Sequence, residues 1–165
     1  MTFAPRTWVV GEVVTAALMN QEIRDQFNSF FAAWTAYTPV WTSTGTAPAI
    51  VNGTLTGRYM KVGRTVTCEI NLVAGSSTTF GTGNYSWSLP VTAASSGMAI
   101  VGSSMLLGVD RWNGSIVVSS AATTVGAFVP ISATNTRSNF ITSTQPETLA
   151  SGAQIRLTFQ YEAAS

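Results

Sequence analysis

Residues that could carry catalytic chemistry are few in this sequence. The chain contains no histidine, which removes His-dependent triads, most zinc and copper sites and the commonest general base near neutral pH. Glycosidase chemistry needs two carboxylates roughly 5–10 Å apart across the scissile bond. Asp110 with Glu147 is the only pair of loop acids that we consider for it. We therefore predict a chain with no catalytic residue, no metal site and no cofactor.

A binding role can be placed on the run from Asp110 to Asn113. Trp112 can stack on the face of a sugar ring, while Asp110, Arg111 and Asn113 can hydrogen-bond its hydroxyls. The alternative is that Trp112 covers the end of the β-domain, because Asn113-Gly114 favours a type I′ turn and would place Trp112 beside a hairpin tip. We keep both interpretations of Trp112, ligand contact and packing.

Composition favours assembly and argues against two kinds of partner. Charged residues make up 9% of the chain and the net charge is +1, against about 25% charged residues in an ordinary soluble domain. The few basic residues are spread among acidic ones, which predicts no nucleic-acid surface. No apolar stretch approaches the roughly 20 residues that span a bilayer, and residues 1–6 do not resemble a secretory signal. We expect synthesis in the cytoplasm, no membrane insertion, and identical subunits as partners.

The elements that must position these residues begin with one helix. Thr15 is a suitable N-cap, and neither Gly nor Pro follows until the helix is expected to end near Trp34. Alternating spacings of four and three place one set of side chains on an a/d seam. This apolar face must be buried against identical helices or against the chain's own sheet. We favour self-association and predict these oligomerisation residues: Asn20, Ile23, Phe27, Phe30 and Trp34.

From Trp41 onward the apolar pattern changes to period two, which is typical of half-buried strands. Residues 54–62 and 66–73, separated by Gly63-Arg64, predict a β-hairpin, and we interpret the lone Cys68 within it as a small core residue. Further strands are predicted at residues 85–89, 98–107, 115–120, 125–131 and 154–161. The predicted fold is mainly β, with an N-terminal arm and short α-helix in residues 1–38. An antiparallel, jelly-roll-like β-sandwich follows in residues 39–165.

Two segments resemble bacteriophage proteins. Residues 11–25 read Gly-Glu-x-Val-Thr-Ala-x-x-Met-Asn-x-x-Ile-Arg-Asp, which resembles the opening of minor tail and tail-fibre proteins of tailed bacteriophages, especially those infecting actinobacteria. Residues 57–66, followed by Gly75, Gly81, Gly83 and Ser88-Leu89-Pro90, are similar to small β-modules at the end of such proteins. Residues 91–165 carry no recognisable signature.

The resemblance implies a virion component, usually a homotrimer. Such a protein attaches to other virion proteins through residues 1–34 and exposes its β-domain to a host-surface glycan or protein. The chain also resembles capsid decoration and head-fibre proteins, which would have no receptor, and a more distant alternative is a cell-envelope depolymerase. We expect a non-enzymatic minor tail or fibre protein, located in the virion, with a role in receptor binding and host adhesion.

Overall fold

The computed structural model describes residues 6–96 and 100–164. Within them the helical part comprises α1 (Ala16–Met19), a π-helical segment (Asn20–Arg24) and α2 (Asp25–Phe31). The strands are β1 (Thr35–Tyr37), β2 (Trp41–Ser43), β3 (Thr54–Val62), β4 (Thr65–Val73), β5 (Tyr85–Ser88), β6 (Ile100–Leu107), β7 (Arg111–Val117), β8 (Thr124–Ser132), β9 (Asn135–Phe140) and β10 (Gln154–Glu162). The protein is mainly β, as the sequence predicts.

The helical part begins where the sequence predicts and ends earlier. The Thr15 hydroxyl oxygen accepts a hydrogen bond from the Leu18 N–H at 3.3 Å, which is the expected N-cap. Helical geometry stops at Phe31 because Ala32 adopts an extended conformation, and β1 then pairs with β3. The helix therefore ends three residues before Trp34, near which its end was predicted, because strand pairing outweighs the helix propensity of the last residues.

The π-helical segment interrupts the predicted heptad. The Asp25 N–H donates to the Asn20 carbonyl, an i→i+5 hydrogen bond that widens the helix locally. The a/d assignment assumed α-helical periodicity throughout, so it does not hold across Asn20–Arg24. The apolar side chains before and after this segment therefore do not follow one continuous heptad phase.

All ten described strands join one antiparallel sheet, in the order β1-β3-β4-β10-β6-β7-β8-β5-β2, with β9 also paired to β8. The predicted hairpin is confirmed, because β3 and β4 turn at Gly63-Arg64. Gly63 has a φ of 58° there, a left-handed conformation that favours glycine. Along β10 the buried residues alternate with exposed ones, and the buried set is Ile155, Leu157, Phe159 and Tyr161. One face of the sheet therefore forms the core.

The sheet curls until strands near its opposite ends share hydrogen bonds. The Tyr37 hydroxyl, on β1, donates to the Ser88 carbonyl, on β5, at 3.5 Å. The same hydroxyl lies 3.2 Å from Sγ of Cys68. Close by, the Val40 N–H donates to the Ser88 hydroxyl at 2.8 Å, and the Ser88 N–H donates to the Val40 carbonyl at 3.0 Å. The curled sheet encloses a core in which Cys68 is fully buried, as predicted.

The predicted tight turn at Asn113-Gly114 is wrong. Both residues lie inside β7 and pair with β6, and residues 108–110 connect these two strands. A Cβ on Gly114 would overlap the carbonyl oxygen of Phe128. This glycine is therefore needed for close packing of backbone against backbone rather than for a turn.

Several strand boundaries also differ from the prediction. Strand β7 spans Arg111–Val117 rather than 115–120, and β1, β2 and β9 were not predicted. Strand β1 lies in the part assigned to the N-terminal arm, yet it pairs with β3. Residues 98 and 99 of the predicted strand 98–107 lie outside the described residues. In the described chain, no helix has the length and apolar character needed to cross a membrane.

Candidate functional site

The most unusual surface of the protein is its N-terminal segment, which we define as residues 6–34. Most of the large apolar side chains that stand exposed in the described chain belong to it, namely Trp8, Val9, Val10, Val13, Val14, Met19, Ile23, Phe27, Phe30 and Phe31. Exposed large apolar side chains concentrated in one segment in this way indicate an interaction site. The β-sheet, by contrast, buries its own apolar face in the core. The N-terminal segment is therefore the candidate functional site.

The structure leaves four of the five predicted oligomerisation residues exposed on the helical part. Phe27 is 61% exposed, Phe30 58% and Ile23 42%, and Asn20 is exposed as well. Phe27 and Phe30 both lie on α2, where the spacing of three keeps them on neighbouring faces. Removing a phenylalanine side chain from water is worth about 1.5–3 kcal/mol. An unpartnered α2 therefore forgoes substantial stabilisation.

Trp34, the fifth predicted oligomerisation residue, lies elsewhere. It follows the end of the helix, and the guanidinium of Arg58 sits 4.9 Å from its ring centroid. Arg58 in turn donates to the Glu69 carboxylate at 2.7 Å. A cation over an indole face stabilises by about 0.5–1 kcal/mol at an exposed site. Trp34 thus contacts the outer face of the β3–β4 hairpin and is not part of the helical seam.

The arm before the helix has a local turn of its own. The Glu12 N–H donates to the Val9 carbonyl at 3.1 Å, and Gly11 adopts a φ of 84° at this turn. Arg6 forms an ion pair with Glu12, and its guanidinium lies 5.4 Å from the ring centroid of Trp8. The turn therefore pairs Glu12 with Val9 and Arg6, while the valine side chains of the arm are exposed.

The predicted ligand-contact loop is organised by Glu147. The Glu147 carboxylate accepts hydrogen bonds from the Val109 N–H at 2.6 Å, the Asp110 N–H at 3.2 Å and the Trp112 indole N–H at 2.9 Å. Trp112 is half-buried and packs against the core. Among the other predicted contact residues, Asp110, Arg111 and Asn113 are exposed. Of the predicted contact loop only Asp110 lies in the turn, because Arg111, Trp112 and Asn113 begin β7. The polar side chains are exposed there, while the indole is used in packing.

These contacts also bear on the acid pair considered for glycosidase chemistry. Both carboxylate oxygens of Glu147 already accept N–H donors of the 108–112 region, so this carboxylate serves as a loop anchor. A Cβ added to Gly108 would overlap Oε1 of Glu147, which shows how closely the carboxylate lies on the turn. Within the described residues, no three His, Cys, Asp or Glu side chains form a group that could hold a metal ion.

Glu147→Ala is expected to lower the free energy of unfolding by about 2–4 kcal/mol. A hydrogen bond to a charged group contributes about 1.5–3 kcal/mol. Water can replace the carboxylate at the exposed Val109 and Asp110 N–H groups, but less readily at the half-buried indole N–H of Trp112. Urea unfolding followed by circular dichroism measures this change. Trp112→Phe is the matched control, since it keeps a ring in the same place and removes one of the three donors, and a smaller loss is expected. Stability equal to that of the unaltered chain in Glu147→Ala would contradict the anchoring role.

Sequence reasoning missed two contacts that position the candidate sites. The Arg58–Glu69 pair could have been predicted from the sequence. A two-residue turn at Gly63-Arg64 pairs Val62 with Thr65, and the same register pairs Arg58 with Glu69. Opposite charges at directly paired positions stabilise a sheet. The role of Glu147 had no such signal, because its three donors lie more than thirty residues away in sequence.

No protein-family model, no curated protein and no solved structure matches this chain. The resemblance of residues 11–25 to phage tail proteins therefore stays a prediction. A proposal for the function depends on the exposed N-terminal segment, the polar loop at Asp110 and the composition of the chain.

Proposed function

We propose that this chain is a bacteriophage virion structural protein, a minor tail or fibre component that assembles as a homo-oligomer, with a homotrimer as the expected form. The observation that carries the proposal is the exposed apolar surface of the N-terminal segment, on a protein whose sheet otherwise buries its core. In this proposal the segment joins identical subunits and attaches them to other virion proteins. The curled sheet serves as a non-enzymatic, outward-facing β-sandwich module.

The physical case depends on the helical part. Phe27 and Phe30 are each more than half exposed, and burying each of them in an oligomer gains about 1.5–3 kcal/mol per subunit. Association costs several kcal/mol in lost translational and rotational freedom, so two phenylalanines alone are marginal. The neighbouring Ile23, Met19 and the arm valines add further apolar area. Association of identical subunits through their N-terminal segments buries this exposed surface.

Light scattering coupled to size-exclusion chromatography tests the assembly. The unaltered chain is expected to elute at a multiple of the 17.4 kDa subunit mass, and the double variant Phe27→Asp with Phe30→Asp at the mass of one subunit. The matched control is Ala17→Asp with Gln21→Asp, which adds the same charge to exposed helical positions and is expected to keep the oligomer. A single-subunit mass for the unaltered chain at micromolar concentration would contradict the proposal.

Host-surface contact is the second part of the proposal, and it is supported by the exposed polar side chains of Asp110, Arg111 and Asn113. We expect fluorescently labelled oligomer to bind intact host cells and Arg111→Ala with Asn113→Ala to bind at least tenfold more weakly, since a charge-assisted hydrogen bond contributes about 1.5–3 kcal/mol. Trp112→Phe keeps an aromatic ring in the same place. Unchanged cell binding by this variant would show that the indole serves in packing rather than in contact with the host surface. Unchanged binding by the double variant would dispose of this contact loop. No described feature favours a decoration protein or a depolymerase instead.

A further inference from the structure

A groove of about 670 Å³ lies between α2 and the end of β3. We call it the α2–β3 groove. Phe30 and Ala33 line it from the helical side, and Tyr59, Met60 and Val62 line it from the strand. Its walls are mostly apolar, and Phe30 is among the exposed side chains already described. An apolar groove of this size holds a short peptide segment rather than water alone.

The floor of this groove is a free strand edge. Strand β1 covers only Gly57 to Tyr59 of β3, whereas β4 pairs with β3 along its whole length up to Val62. Among the described residues, the segment 60–62 therefore has a strand partner on one side only. Unpaired strand edges accept an extended segment from another chain through backbone hydrogen bonds. The α2–β3 groove combines such an edge with apolar walls.

The arm of the same protein has the chemistry that fits this edge. Val13 and Val14 follow the turn at Gly11 and are 77% and 51% exposed. Valine is enriched in strands because its branched side chain packs well on a pleated surface. The segment 12–14 is as long as the free edge 60–62. In the described chain no strand partner pairs with these arm residues.

The arm of a subunit cannot reach the groove of that same subunit. The helical part runs from Ala16 to Phe31, and at about 1.5 Å per residue these ends lie about 22 Å apart. The groove is lined by helical residues from Gln26 to Phe30, and the nearest of them lies about 15 Å from Ala16 along the helix. Val13 is three residues from Ala16, so an extended chain carries it only about 10 Å from the start of the helix. The occupant that satisfies both surfaces is therefore the arm of a second copy.

We propose that residues 12–14 of one subunit add as a short strand to the 60–62 edge of a neighbouring subunit, under α2. Val13 and Val14 then lie on opposite faces of this edge, so that one of them packs against the apolar wall formed by α2. The inference rests on the proposed homo-oligomer and specifies its geometry, because each subunit gives an arm and receives one. Such a head-to-tail exchange closes into a ring when the rotation between subunits allows it. The exchange ties the arm to the β-sheet of the next subunit.

Disulfide trapping between two differently tagged full-length chains tests the exchange. One chain carries Val13→Cys and the other Lys61→Cys, the two are co-expressed, and the mixed oligomer is oxidised under native conditions. We expect a covalent dimer containing both tags on a non-reducing gel. Cys68 is fully buried and stays in place. The matched control replaces Lys61→Cys by Val109→Cys, which is 92% exposed and is expected to give no such dimer. Val109 follows Leu107, whose register through β10 and β4 leads to Thr54, the end of β3 that is remote from residue 61.

The outcomes separate this inference from the proposed function. Absence of the two-tag dimer, while light scattering still shows an oligomer, would overturn arm exchange and leave assembly standing. A disulfide within one chain carrying both Val13→Cys and Lys61→Cys, purified as a single subunit, would also overturn it. A single-subunit mass for the unaltered chain would overturn both the exchange and the assembly.

Discussion

Above about pH 9 the free energy of unfolding is expected to fall steeply, and the first group responsible is Cys68. Burial raises the pKa of its thiol from 9.0 to about 11. Below pH 9 the thiol is protonated in both states, so the stability that it contributes is fully present. As the pH rises through this window the unfolded chain releases the proton first. The free energy of unfolding then falls by about 1.4 kcal/mol per pH unit, or about 3 kcal/mol in total.

Three tyrosines extend this loss to higher pH. Burial raises the pKa of Tyr37, Tyr85 and Tyr161 well above the ordinary value of 10.0. Each of them therefore adds its own loss of stability once the unfolded chain ionises above pH 10. The Tyr37 hydroxyl lies 3.2 Å from Sγ of Cys68, so two of the four groups occupy one buried cluster. Near pH 11 the combined slope is expected to be about three times that of a single group, because Cys68 is by then half ionised in the folded chain as well.

Urea unfolding between about pH 7 and pH 11 measures this dependence. The Phe27→Asp, Phe30→Asp background keeps subunit dissociation out of the measurement. In Cys68→Ala the fall in stability is expected to begin near pH 10 rather than near pH 9, because only the tyrosines remain. The variant is also expected to be less stable at neutral pH, since it loses buried volume. An equal slope between pH 9 and pH 10 with and without Cys68 would contradict the assignment.

The β-sheet was predictable where side-chain alternation and turn chemistry agree. The segment 54–73 alternates with period two on both sides of Gly63-Arg64, and this fixes not only the two strands but also their register. Cys68 could be placed in the core for the same reason, because it falls on the buried set of β4. The alternation along β10 was equally clear. For these strands the local sequence is sufficient to predict the structure.

The parts that were missed depend on distant partners. Strand β9 consists mostly of exposed polar residues and shows no alternation, so it is a strand only because β8 pairs with it. Asn113-Gly114 has the composition of a turn, yet Gly114 is required where β7 passes close to the Phe128 carbonyl. The helix ends at Phe31 because the chain that follows joins β3. In each case tertiary pairing decides what the local sequence leaves open.

The candidate site shows the same division. The start of the helix could be predicted from capping, and the shared face of Phe27 and Phe30 from their spacing of three. Their exposure could not, because the same spacing also allowed burial against the chain's own sheet. The positions of Trp34 and Trp112 could not, because each is set by a residue far along the chain, Arg58 and Glu147 respectively. Sequence patterns therefore predict where an apolar face lies. They do not predict which aromatic side chains, such as Trp34 and Trp112, pack against other residues of the same subunit.

Replacing Trp87 is expected to produce the largest loss of stability of any single substitution considered. Trp87 is fully buried on β5, where its neighbours in the strand order are β8 and β2. Its ring centroid lies 6.4 Å from that of Tyr85 in an edge contact, and Tyr85 contacts Trp41 at 5.0 Å in the same way. Trp87→Ala removes a large side chain from this aromatic cluster, and we expect a loss of about 3–5 kcal/mol.

Trp87→Phe distinguishes lost volume from lost polarity. The indole N–H of Trp87 is buried and has no hydrogen-bond partner among the described residues, so a phenylalanine gives up no hydrogen bond and removes an unsatisfied donor. Its cost is therefore expected to be well below that of Trp87→Ala. Trp8→Ala, at an exposed position, should change stability by no more than about 0.5 kcal/mol. Urea unfolding of the three variants in the Phe27→Asp, Phe30→Asp background measures these losses, and equal costs for the two Trp87 variants would show that the indole makes a polar contact essential to the curled sheet.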